Sequence, residues 1–350
     1  MIKTYWITVN RLCQLRCKWC YAHGTKYLKK DDANINTLFR LVDIMSEINV
    51  ATCKILGGEP AIYSHIIPLL NYLREKNVKS VMISNGLAYE NMEIVKKHFD
   101  AGLLLLIVSL KTGSAEGYKN WTGKNVYRMV LKAIENLSLY NSGVSITVTN
   151  VNSKEIIRGI ADCISAGVRF INIDFCTTVF VSGRPIGDYM PDANMIQTIV
   201  PEVTEYLKGS GIKFNIQLSL PFCLFEPKFV FDLFKEKHAM SGCIARKKSG
   251  IVFGVNGEAG FCNHLLDFPF GKLEIDFKTG KQLEDLYYSQ TEFFKQTNRV
   301  PDIRCKFCSI SSLCCGGCPV KWTSYKPKDF IKGGDSFLAM EQQFRSLVSL

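Results

Sequence analysis

The sequence predicts an α/β protein in which an open barrel of six strand–helix units over residues 1–220 is followed by a small cysteine-rich domain over residues 221–350. Strand-like and amphipathic helix-like segments alternate from residue 1 to about residue 220, which is typical of a parallel sheet wrapped by helices. Past Pro221 the pattern changes to short segments interrupted by Gly, Pro and Cys. Such a region favours a small fold held together by metal rather than by a large apolar core.

The candidate strands are short apolar runs bounded by turn-forming residues. In chain order they are Thr4–Val9, Thr52–Leu56, Ser80–Ile83, Leu103–Ser109, Val144–Val148, Val168–Asp174 and Ile212–Gln217. Between them, apolar residues recur with the period of an α-helix. The candidate helices are Ile35–Ile48, Ser64–Glu75, Glu90–Phe99, Val126–Tyr140 and Glu155–Ala166. The first six repeats suffice for the open barrel.

Composition excludes several classes of protein. Hydrophobic residues make up 47% and charged residues 21% of the 350-residue chain, so collagen-like, coiled-coil and disordered classes do not apply. The longest apolar run, around Leu103–Val108, is far shorter than the roughly 20 residues that span a bilayer. The N-terminus alternates polar and apolar residues, unlike a secretory signal. We therefore expect a cytoplasmic protein with no membrane partner.

The cysteines are the main chemical feature of the sequence. Ten of the fourteen fall into two groups, and a reducing cytoplasm favours clustered thiols as metal ligands or catalysts over disulfides. The formal charge of +11 counts every cysteine as neutral, and metal-bound thiolates would cancel part of it. No concentrated basic run is present, so we do not expect a nucleic-acid partner.

The first group lies in the loop after the first candidate strand and reads Cys13-Gln-Leu-Arg-Cys17-Lys-Trp-Cys20-Tyr. Thiolates this closely spaced can hold one iron–sulfur cluster, and three ligands leave one iron open for chemistry. A zinc site is the alternative, but structural zinc usually has four protein ligands, and this spacing is unusual for it.

This motif resembles that of the radical S-adenosylmethionine (radical SAM) superfamily, including the aromatic residues Trp19 and Tyr21 on either side of the third cysteine. The resemblance implies a partial (β/α)6 radical SAM barrel. It also implies a four-iron, four-sulfur (4Fe-4S) cluster on Cys13, Cys17 and Cys20, whose open iron binds the amino and carboxylate groups of S-adenosyl-L-methionine.

Segments that follow the next three candidate strands resemble the S-adenosylmethionine-binding elements of this family. After the second strand come Gly57, Gly58, Glu59 and Pro60. Glycines let the backbone approach a ligand closely, and Glu59 or the adjoining carbonyls can accept hydrogen bonds from an ammonium group. The resemblance implies that this element holds the methionyl amino group.

The third and fourth strands end in Ser84-Asn85-Gly86 and Ser109-Leu110-Lys111. The resemblance implies contacts from Ser84, Asn85, Ser109 and Lys111 to the ribose and the methionyl carboxylate. Relatives commonly place an Arg about twelve residues after the second Ser, where this chain has Trp121. We expect Lys111 to pair with the carboxylate instead, with Lys119 as second choice.

The second group of cysteines lies in the C-terminal region. Cys243-x13-Gly-x4-Cys262 is followed by Cys305-x2-Cys308-x5-Cys314-Cys315-x2-Cys318. This spacing resembles the SPASM domain of radical SAM enzymes, and the alternative is a pair of zinc-ribbon sites. The resemblance implies two auxiliary 4Fe-4S clusters. The first would be held by Cys243, Cys262 and Cys318, and the second by Cys305, Cys308 and Cys314.

The final cysteine of the SPASM pattern is missing, because no cysteine follows Cys318. Asp335 lies at a similar distance in a Gly-Gly-Asp turn, and a carboxylate can replace a thiolate on iron, so it is a candidate ligand, with Cys315 as the alternative. For the first auxiliary cluster, the fourth ligand is either Cys223 or an open iron that binds substrate.

The remaining cysteines and the catalytic residues are less well defined. Cys53 and Cys163 are expected to be buried hydrophobic residues, and Cys176 follows the sixth strand, where it could face the site. Sulfatase-maturing relatives have an Asp after the second cysteine of the Cys-Gly-Cys element, whereas this chain has Asn263, which cannot take a proton. His264 beside it is titratable. Cys176 and His264 are thus weak catalytic candidates.

The resemblance implies an oxidoreductase that cleaves S-adenosylmethionine to a 5′-deoxyadenosyl radical and abstracts hydrogen from its substrate. SPASM relatives mostly modify peptides or proteins, so we expect a ribosomally made precursor peptide or small protein as substrate and flavodoxin or ferredoxin as one-electron reductant. Because the first candidate strand already belongs to the barrel, we expect no leader-binding domain. Leader recognition would then come from a separate protein, from the sheet edge by strand addition, or not exist. The alternatives are a dehydrogenase of small molecules and a non-catalytic zinc or iron–sulfur module that binds nucleic acid.

Overall fold

The computed structural model describes residues 2–22, 31–241, 243–297, 300–333 and 335–348. Its strands are β1 Thr4–Thr8, β2 Thr52–Leu56, β3 Lys79–Ser84, β4 Leu103–Leu110, β5 Ser142–Val148, β6 Phe170–Phe175, β7 Val179–Val181, β8 Arg184–Ile186, β9 Lys213–Leu218, β10 Ala239–Ser241, β11 Gly250–Phe253, β12 Glu258–Gly260 and β13 Gly271–Lys272. Its helices are α1 Ile35–Glu47, α2 Ile66–Glu75, α3 Met92–Asp100, α4 Ala115–Thr122, α5 Tyr127–Leu137, α6 Ile156–Ser165, α7 Ala193–Ser210, α8 Pro227–Lys235, α9 Gly280–Thr297, α10 Ile303–Lys306, α11 Ser311–Cys314, α12 Pro327–Phe330 and α13 Glu341–Val348.

The strands β1 to β6 pair in chain order, and every one of these pairs is parallel. Parallel neighbours need crossover connections, which the helices between the strands supply. The predicted α/β fold with an open, six-stranded parallel barrel is thereby confirmed. The carboxyl ends of these strands meet at one edge of the sheet, so the loops after β1 to β4 lie together there.

The same sheet continues into the C-terminal region. Strand β11 pairs in parallel with β1, with Tyr5 opposite Ile251, and β9 pairs with β6. Strand β10 extends the β9 edge, while β12 and β13 extend the β11 edge. The boundary predicted near Pro221 thus falls inside a continuous sheet, and the division into two domains stays a prediction.

Helix α1 shows how sequence periodicity builds the core. Its buried residues recur every three or four positions: Leu38, Leu41, Val42, Ile44 and Met45. Burying each such side chain stabilises the fold by about 1.5–3 kcal/mol. Asn34 caps the helix by accepting a hydrogen bond from the Asn36 N–H. The predicted hydrophobic cysteines, Cys53 on β2 and Cys163 on α6, are buried in the same core.

The structure adds elements that the sequence patterns did not predict: helix α4, the long helix α7 and the antiparallel hairpin β7–β8. Among the described helices, none has both the length and the apolar character needed to cross a bilayer.

Candidate functional site

The cysteine loop after β1 packs directly against the glycine turn after β2. The Gly58 N–H donates a hydrogen bond to the Asn10 carbonyl at 2.8 Å. A Cβ atom on Gly58 would lie 2.4 Å from the Arg11 carbonyl oxygen, and one on Gly57 would lie 2.2 Å from Asn10 Oδ1. Only glycine allows this approach, so the two glycines position the cysteine loop.

Glu59 connects the glycine turn to the end of β3. Its buried carboxylate accepts hydrogen bonds from the Ser84 hydroxyl at 2.7 Å, the Asn85 N–H at 2.6 Å and the Ala61 N–H at 3.0 Å. Burial raises the pKa of Glu59, and the Asn85 and Ser84 hydrogen bonds oppose that rise. Both oxygens and the Ser84 hydroxyl therefore bond within the chain, and Pro60 begins the short helical turn that follows.

The three cysteines of the first motif lie together beside Asn85. The Asn85 side-chain amide donates to Gln14 Oε1 at 3.0 Å and lies 3.6 Å from Cys13 Sγ. Burial raises the pKa of Cys17 to about 12, and repulsion from Cys20 and Cys13 adds to the rise. Burial likewise raises the pKa of Cys13. A bound metal would displace these protons, because thiolates rather than thiols are metal ligands.

Lys111 brings a positive charge to this loop. Its ammonium donates to the Ser109 hydroxyl at 2.7 Å, and its charge lowers the pKa of both Cys17 and Glu59 against the larger effect of burial. Lys119, the second candidate, is exposed on α4. The structure therefore places Lys111, and not Lys119, beside the cysteine loop.

The first auxiliary group, Cys243, Cys262 and Cys318, comes together from three separate segments. Burial raises the pKa of Cys262, and the charges of Cys318 and Cys243 raise it further. Burial also raises the pKa of Cys243, again with repulsion from Cys318. The Cys318 N–H donates to the Ser219 carbonyl at 3.0 Å, which connects this group to the end of β9.

The second auxiliary group, Cys305, Cys308 and Cys314, lines one cavity together with Cys223. Burial raises the pKa of Cys305 to about 11 and that of Cys314 to about 12, and Cys223 is the charged neighbour that raises each further. Cys223, predicted as a ligand of the first auxiliary cluster, therefore lies with the second auxiliary group.

The other two candidates for a fourth ligand lie elsewhere. Cys315 has a left-handed backbone with φ of 53° and directs its thiol to the Ser312 carbonyl at 3.4 Å. The side chain of Asp335 lies outside the described residues.

Among the described residues, no three Cys, His, Asp or Glu side chains converge closely enough to share a single metal ion. In a 4Fe-4S cluster each thiolate binds a different iron, so its ligands surround a core of several atoms and do not meet at one point. The chain offers three groups of thiols, and thiolate donors suit iron–sulfur clusters.

A cavity lies between the cysteine loop and the end of β6. Cys20 and Cys176 both line it, with Trp19, Tyr189 and Met190 among the apolar residues around them. Cys176 therefore faces the candidate site. Burial raises its pKa to about 11, so at neutral pH it is a thiol and not a nucleophilic thiolate.

His264 lies where the first cysteine loop meets the first auxiliary group. Its ring is 5.5 Å from that of Tyr21, and its Nδ1 atom is buried without a hydrogen-bond partner among the described residues. Burial and the nearby Lys321 lower the pKa of His264 to about 4. The imidazole is therefore neutral at pH 7 and could accept a proton through Nδ1.

Lys321 is a site residue that the sequence analysis missed. It is 1% exposed, and its ammonium donates to the carbonyls of Phe175 and Cys176 at 2.7 Å each and to the Thr177 hydroxyl at 2.8 Å. Burial lowers its pKa, while Cys318 and Asp174 are among the charges that raise it. It thus lies between the end of β6 and the first auxiliary group. No sequence pattern distinguishes it from a surface lysine.

Comparisons with known proteins agree with this architecture. Residues 7–157 match the model of the radical SAM superfamily. A "Probable GTP 3',8-cyclase" of Thermococcus kodakarensis is 30% identical over 143 residues, covering 41% of this chain and 46% of that protein. A "Probable GTP 3',8-cyclase" of Sulfolobus acidocaldarius is 28% identical over 175 residues, which cover 48% of this chain and 54% of that protein. The chain thus spans about half the length of the curated relatives it matches.

Solved structures resemble nearly the whole chain. Streptococcus suis SuiB bound to S-adenosylmethionine has a TM-score of 0.69 at 18% identity, covering 96% of this chain and 77% of that one. The protein anSMEcpe with bound AdoMet has a TM-score of 0.70 at 15% identity, covering 100% and 95%. At these identities the likeness shows a shared fold.

Proposed function

We propose, on the premise that this chain is a radical SAM enzyme with a SPASM-type C-terminal region, that it cleaves S-adenosylmethionine reductively and abstracts hydrogen from a peptide substrate. The observation that carries the proposal is the assembly of Cys13, Cys17 and Cys20 with Asn85 and Lys111 at the carboxyl edge of the parallel sheet. Bound there, a 4Fe-4S cluster would pass one electron to S-adenosylmethionine, whose cleavage gives a radical that removes a hydrogen atom.

The residues around the cluster loop would bind and orient the cosubstrate. The Lys111 ammonium, beside Cys17, would pair with the methionyl carboxylate as a point charge. The backbone at Gly57 and Gly58 would accept the methionyl ammonium, because Glu59 is already bonded to Ser84 and Asn85. Glu59 and Ser84 are then positioning residues, which departs from the role that the resemblance implied for them.

The cavity beside Cys20 would receive the substrate. Its apolar lining, which includes Trp19, Tyr189 and Met190, would exclude water from a reactive radical. His264, whose ring lies 5.5 Å from that of Tyr21, stays a weak candidate for the base that accepts a substrate proton, because its lowered pKa makes it a poor proton acceptor at neutral pH. The two auxiliary groups would bind clusters that accept the electron left after hydrogen abstraction.

A peptide substrate is supported by whole-chain fold resemblance. SuiB is described bound to its precursor peptide SuiA, and its structure covers 96% of this chain. The protein anSMEcpe is described bound to the Kp18Cys peptide, and its structure covers 99% of this chain. The cyclase relatives, named for GTP, favour a nucleotide as the second candidate, although the first of them covers only 41% of the chain. A separate protein that binds the leader peptide, and flavodoxin or ferredoxin as the external reductant, complete the proposed set of partners.

The first test is the cleavage reaction. Protein reconstituted anaerobically with iron and sulfide and reduced with dithionite should produce 5′-deoxyadenosine, measured by chromatography. Replacing Cys13, Cys17 and Cys20 together by Ala should abolish the product, whereas Cys163→Ala, in the core on α6, should retain it. Product formation by the triple variant would contradict the proposal.

The second test is the substrate. Peptides encoded by short reading frames beside the gene, and separately GTP, are added to the reduced enzyme with S-adenosylmethionine. A mass change in a peptide, with stimulated 5′-deoxyadenosine formation, is the expected result. Turnover of GTP with every peptide unchanged would favour the cyclase candidate instead.

A further inference from the structure

We propose that Cys223 supplies the fourth thiolate of the second auxiliary site, so that Cys223, Cys305, Cys308 and Cys314 hold a 4Fe-4S cluster coordinated entirely by cysteine. The proposal rests on the proposed function only in that the bound group is an iron–sulfur cluster. The SPASM pattern takes this ligand from a cysteine downstream of position 318, which this chain lacks. Here the ligand would come from upstream, in the short helical turn that follows β9.

The position of Cys223 is fixed by its neighbours in the core. After β9, residues Phe222–Leu224 form a short helical turn in which Phe222 and Leu224 are buried on either side of the cysteine. The Phe222 N–H donates to Cys314 Sγ at 3.3 Å, so the turn contacts the cysteine group directly. Between these two packed side chains, Cys223 is partly buried and lines the cavity of the second auxiliary group.

The four thiols meet at one cavity. Cys223, Cys305, Cys308 and Cys314 line the same cavity, whose other walls include Ile310, Ile331 and Phe337. The nearest backbone around them donates to sulfur: the Lys332 N–H lies 3.3 Å from Cys223 Sγ. Hydrogen bonds from backbone N–H groups to cysteine sulfur are among the features that set the reduction potential of iron–sulfur clusters.

The cavity offers little to balance the charge of free thiolates. Apart from the cysteines its lining is mostly apolar, and Arg304 is the cation among the lining residues. One guanidinium cannot balance four thiolates there, whereas the irons of a cluster can.

The chemistry also separates a cluster from a single ion at this site. Four cysteines are the ligand set of structural zinc as well, but zinc needs all four sulfurs at about 2.3 Å from one point. The four thiols are all among the described residues, and no three of them converge in that way. Thiols that surround a cavity, one for each iron, match a four-iron cluster.

The competing ligands fit the site less well. Cys315 adjoins Cys314, but its left-handed backbone carries the thiol to the Ser312 carbonyl, and it does not line the cavity. A carboxylate from Asp335 would give the cluster one hard oxygen ligand among three thiolates. With four thiols already present, the site does not need it.

The test compares Cys223→Ala, Cys223→Ser and the matched control Cys163→Ala in the background that lacks Cys13, Cys17 and Cys20, where only the auxiliary clusters contribute iron. We expect Cys223→Ala to lose up to about four irons per chain, or to show the electron paramagnetic resonance signal of a three-iron cluster. Cys223→Ser should retain more iron with a shifted midpoint potential, because oxygen is a harder ligand than sulfur. Cys163→Ala should match its parent.

Several outcomes would overturn the proposal. The first is that Cys223→Ala has the same iron content and spectra as Cys163→Ala. The second is that Asp335→Ala or Cys315→Ala loses the cluster while Cys223→Ala keeps it. The third is that the protein contains zinc in place of iron after reconstitution with iron and sulfide. Circular dichroism of each variant separates loss of the cluster from failure to fold. Because iron and spectra are read without S-adenosylmethionine, a parent that fails to cleave it would reject the proposed function and leave this test intact.

Discussion

The buried ammonium of Lys321 shows how one side chain connects the two halves of the site. It comes from the segment after Cys318 and satisfies carbonyls at Phe175 and Cys176, where β6 ends beside the cavity. A buried charge is costly unless its hydrogen bonds are made, and here three acceptors surround it. Its removal would leave the Cys176 carbonyl without this donor and the Phe175 carbonyl with the more distant Thr177 hydroxyl, at 3.3 Å.

We therefore predict that Lys321→Met, which keeps the length of the side chain but removes its donors, destabilises the protein by about 2–4 kcal/mol. Anaerobic chemical denaturation followed by circular dichroism measures this. Lys328→Met, at an exposed position on α12, is the control and should change stability little. Equal stability of the two variants would show that the Lys321 hydrogen bonds contribute nothing net.

His98 on α3 makes the free energy of unfolding depend on pH. It is buried against the Tyr89 hydroxyl at 2.8 Å, and burial lowers its pKa from 6.5 to about 4. Between these values the unfolded chain binds a proton and the folded chain does not. The stabilisation from His98 is therefore complete above pH 6.5 and is lost progressively as the pH falls towards 4.

From these pKa values, the parent should lose about 1 kcal/mol more stability than His98→Phe when the pH falls from 7.5 to 5.5. The comparison uses denaturation midpoints of both proteins at both pH values, so acid effects on the clusters cancel. Parallel losses in the two proteins would mean that His98 does not remain neutral in the fold.

Residues close in sequence could be assigned from the sequence, and those that meet only through folding could not. The spacing of Cys13, Cys17 and Cys20 predicted a common site, and the structure brings the three together. Cys223 joins Cys305 across more than eighty intervening positions, and Lys321 reaches the end of β6 from a distant segment. Neither pairing has a local sequence pattern, because each forms only when distant segments come together in the folded chain.

At the scale of elements, the periodicity of apolar residues predicted the strands and helices that alternate regularly along the chain. It did not predict elements that contain helix-breaking residues or that are too short to show a period. Helix α7 contains Pro201 in its interior, and a proline in a sequence normally predicts the end of a helix. Helix α4 has a weak apolar stripe, interrupted by Gly117. Strands β10, β12 and β13 have two or three residues each, too few for alternation to be visible.

The contact between the glycine turn and the cysteine loop predicts that a larger residue at position 58 disrupts the first iron site. Gly58→Ala would place a Cβ atom 2.4 Å from two backbone carbonyl oxygens, those of Arg11 and Leu12, and backbone cannot yield as a flexible side chain can. The cysteine loop must then shift. We expect loss of the iron bound by Cys13, Cys17 and Cys20 and at least a tenfold fall in 5′-deoxyadenosine formation, with the auxiliary iron retained.

The matched control is Gly209→Ala on α7, where a Cβ atom meets nothing within 4 Å. Alanine is the better helix former, so this variant should be unchanged or more stable by about 0.5–1 kcal/mol. Iron content and cleavage activity of Gly58→Ala equal to those of Gly209→Ala would show that the close approach does not position the loop.

At the scale of the whole molecule, one sheet includes strands from both regions that the sequence predicted as separate domains, residues 1–220 and 221–350. Residues Thr4 to Ile7 of β1 pair with Gly250 to Phe253 of β11, and the buried Phe253 ring lies 6.4 Å from that of Tyr5. At the other side, β10 pairs with β9. The sequence could not show this, because the pairing of β1 with β11 links positions far apart in the chain.

This continuity predicts how truncated chains behave. A fragment of residues 1–220 would expose the edges of β1 and β9 and the apolar surface that Phe253 covers, and unpaired edges favour aggregation. A fragment of residues 1–297 keeps β10 to β13 and helix α9 but, like the shorter one, lacks Cys305 to Cys318. The comparison therefore separates the contribution of the strands from that of the second auxiliary site.

We expect the 1–297 fragment to unfold in one cooperative thermal transition and the 1–220 fragment to aggregate or to melt without cooperativity, because its central sheet has lost a neighbour on each side. Circular dichroism melts and limited proteolysis at matched concentration measure the difference. A monomeric 1–220 fragment with a cooperative transition would show that the barrel is an independent domain ending near residue 220, and that the paired strands β1 and β11 add little to its stability.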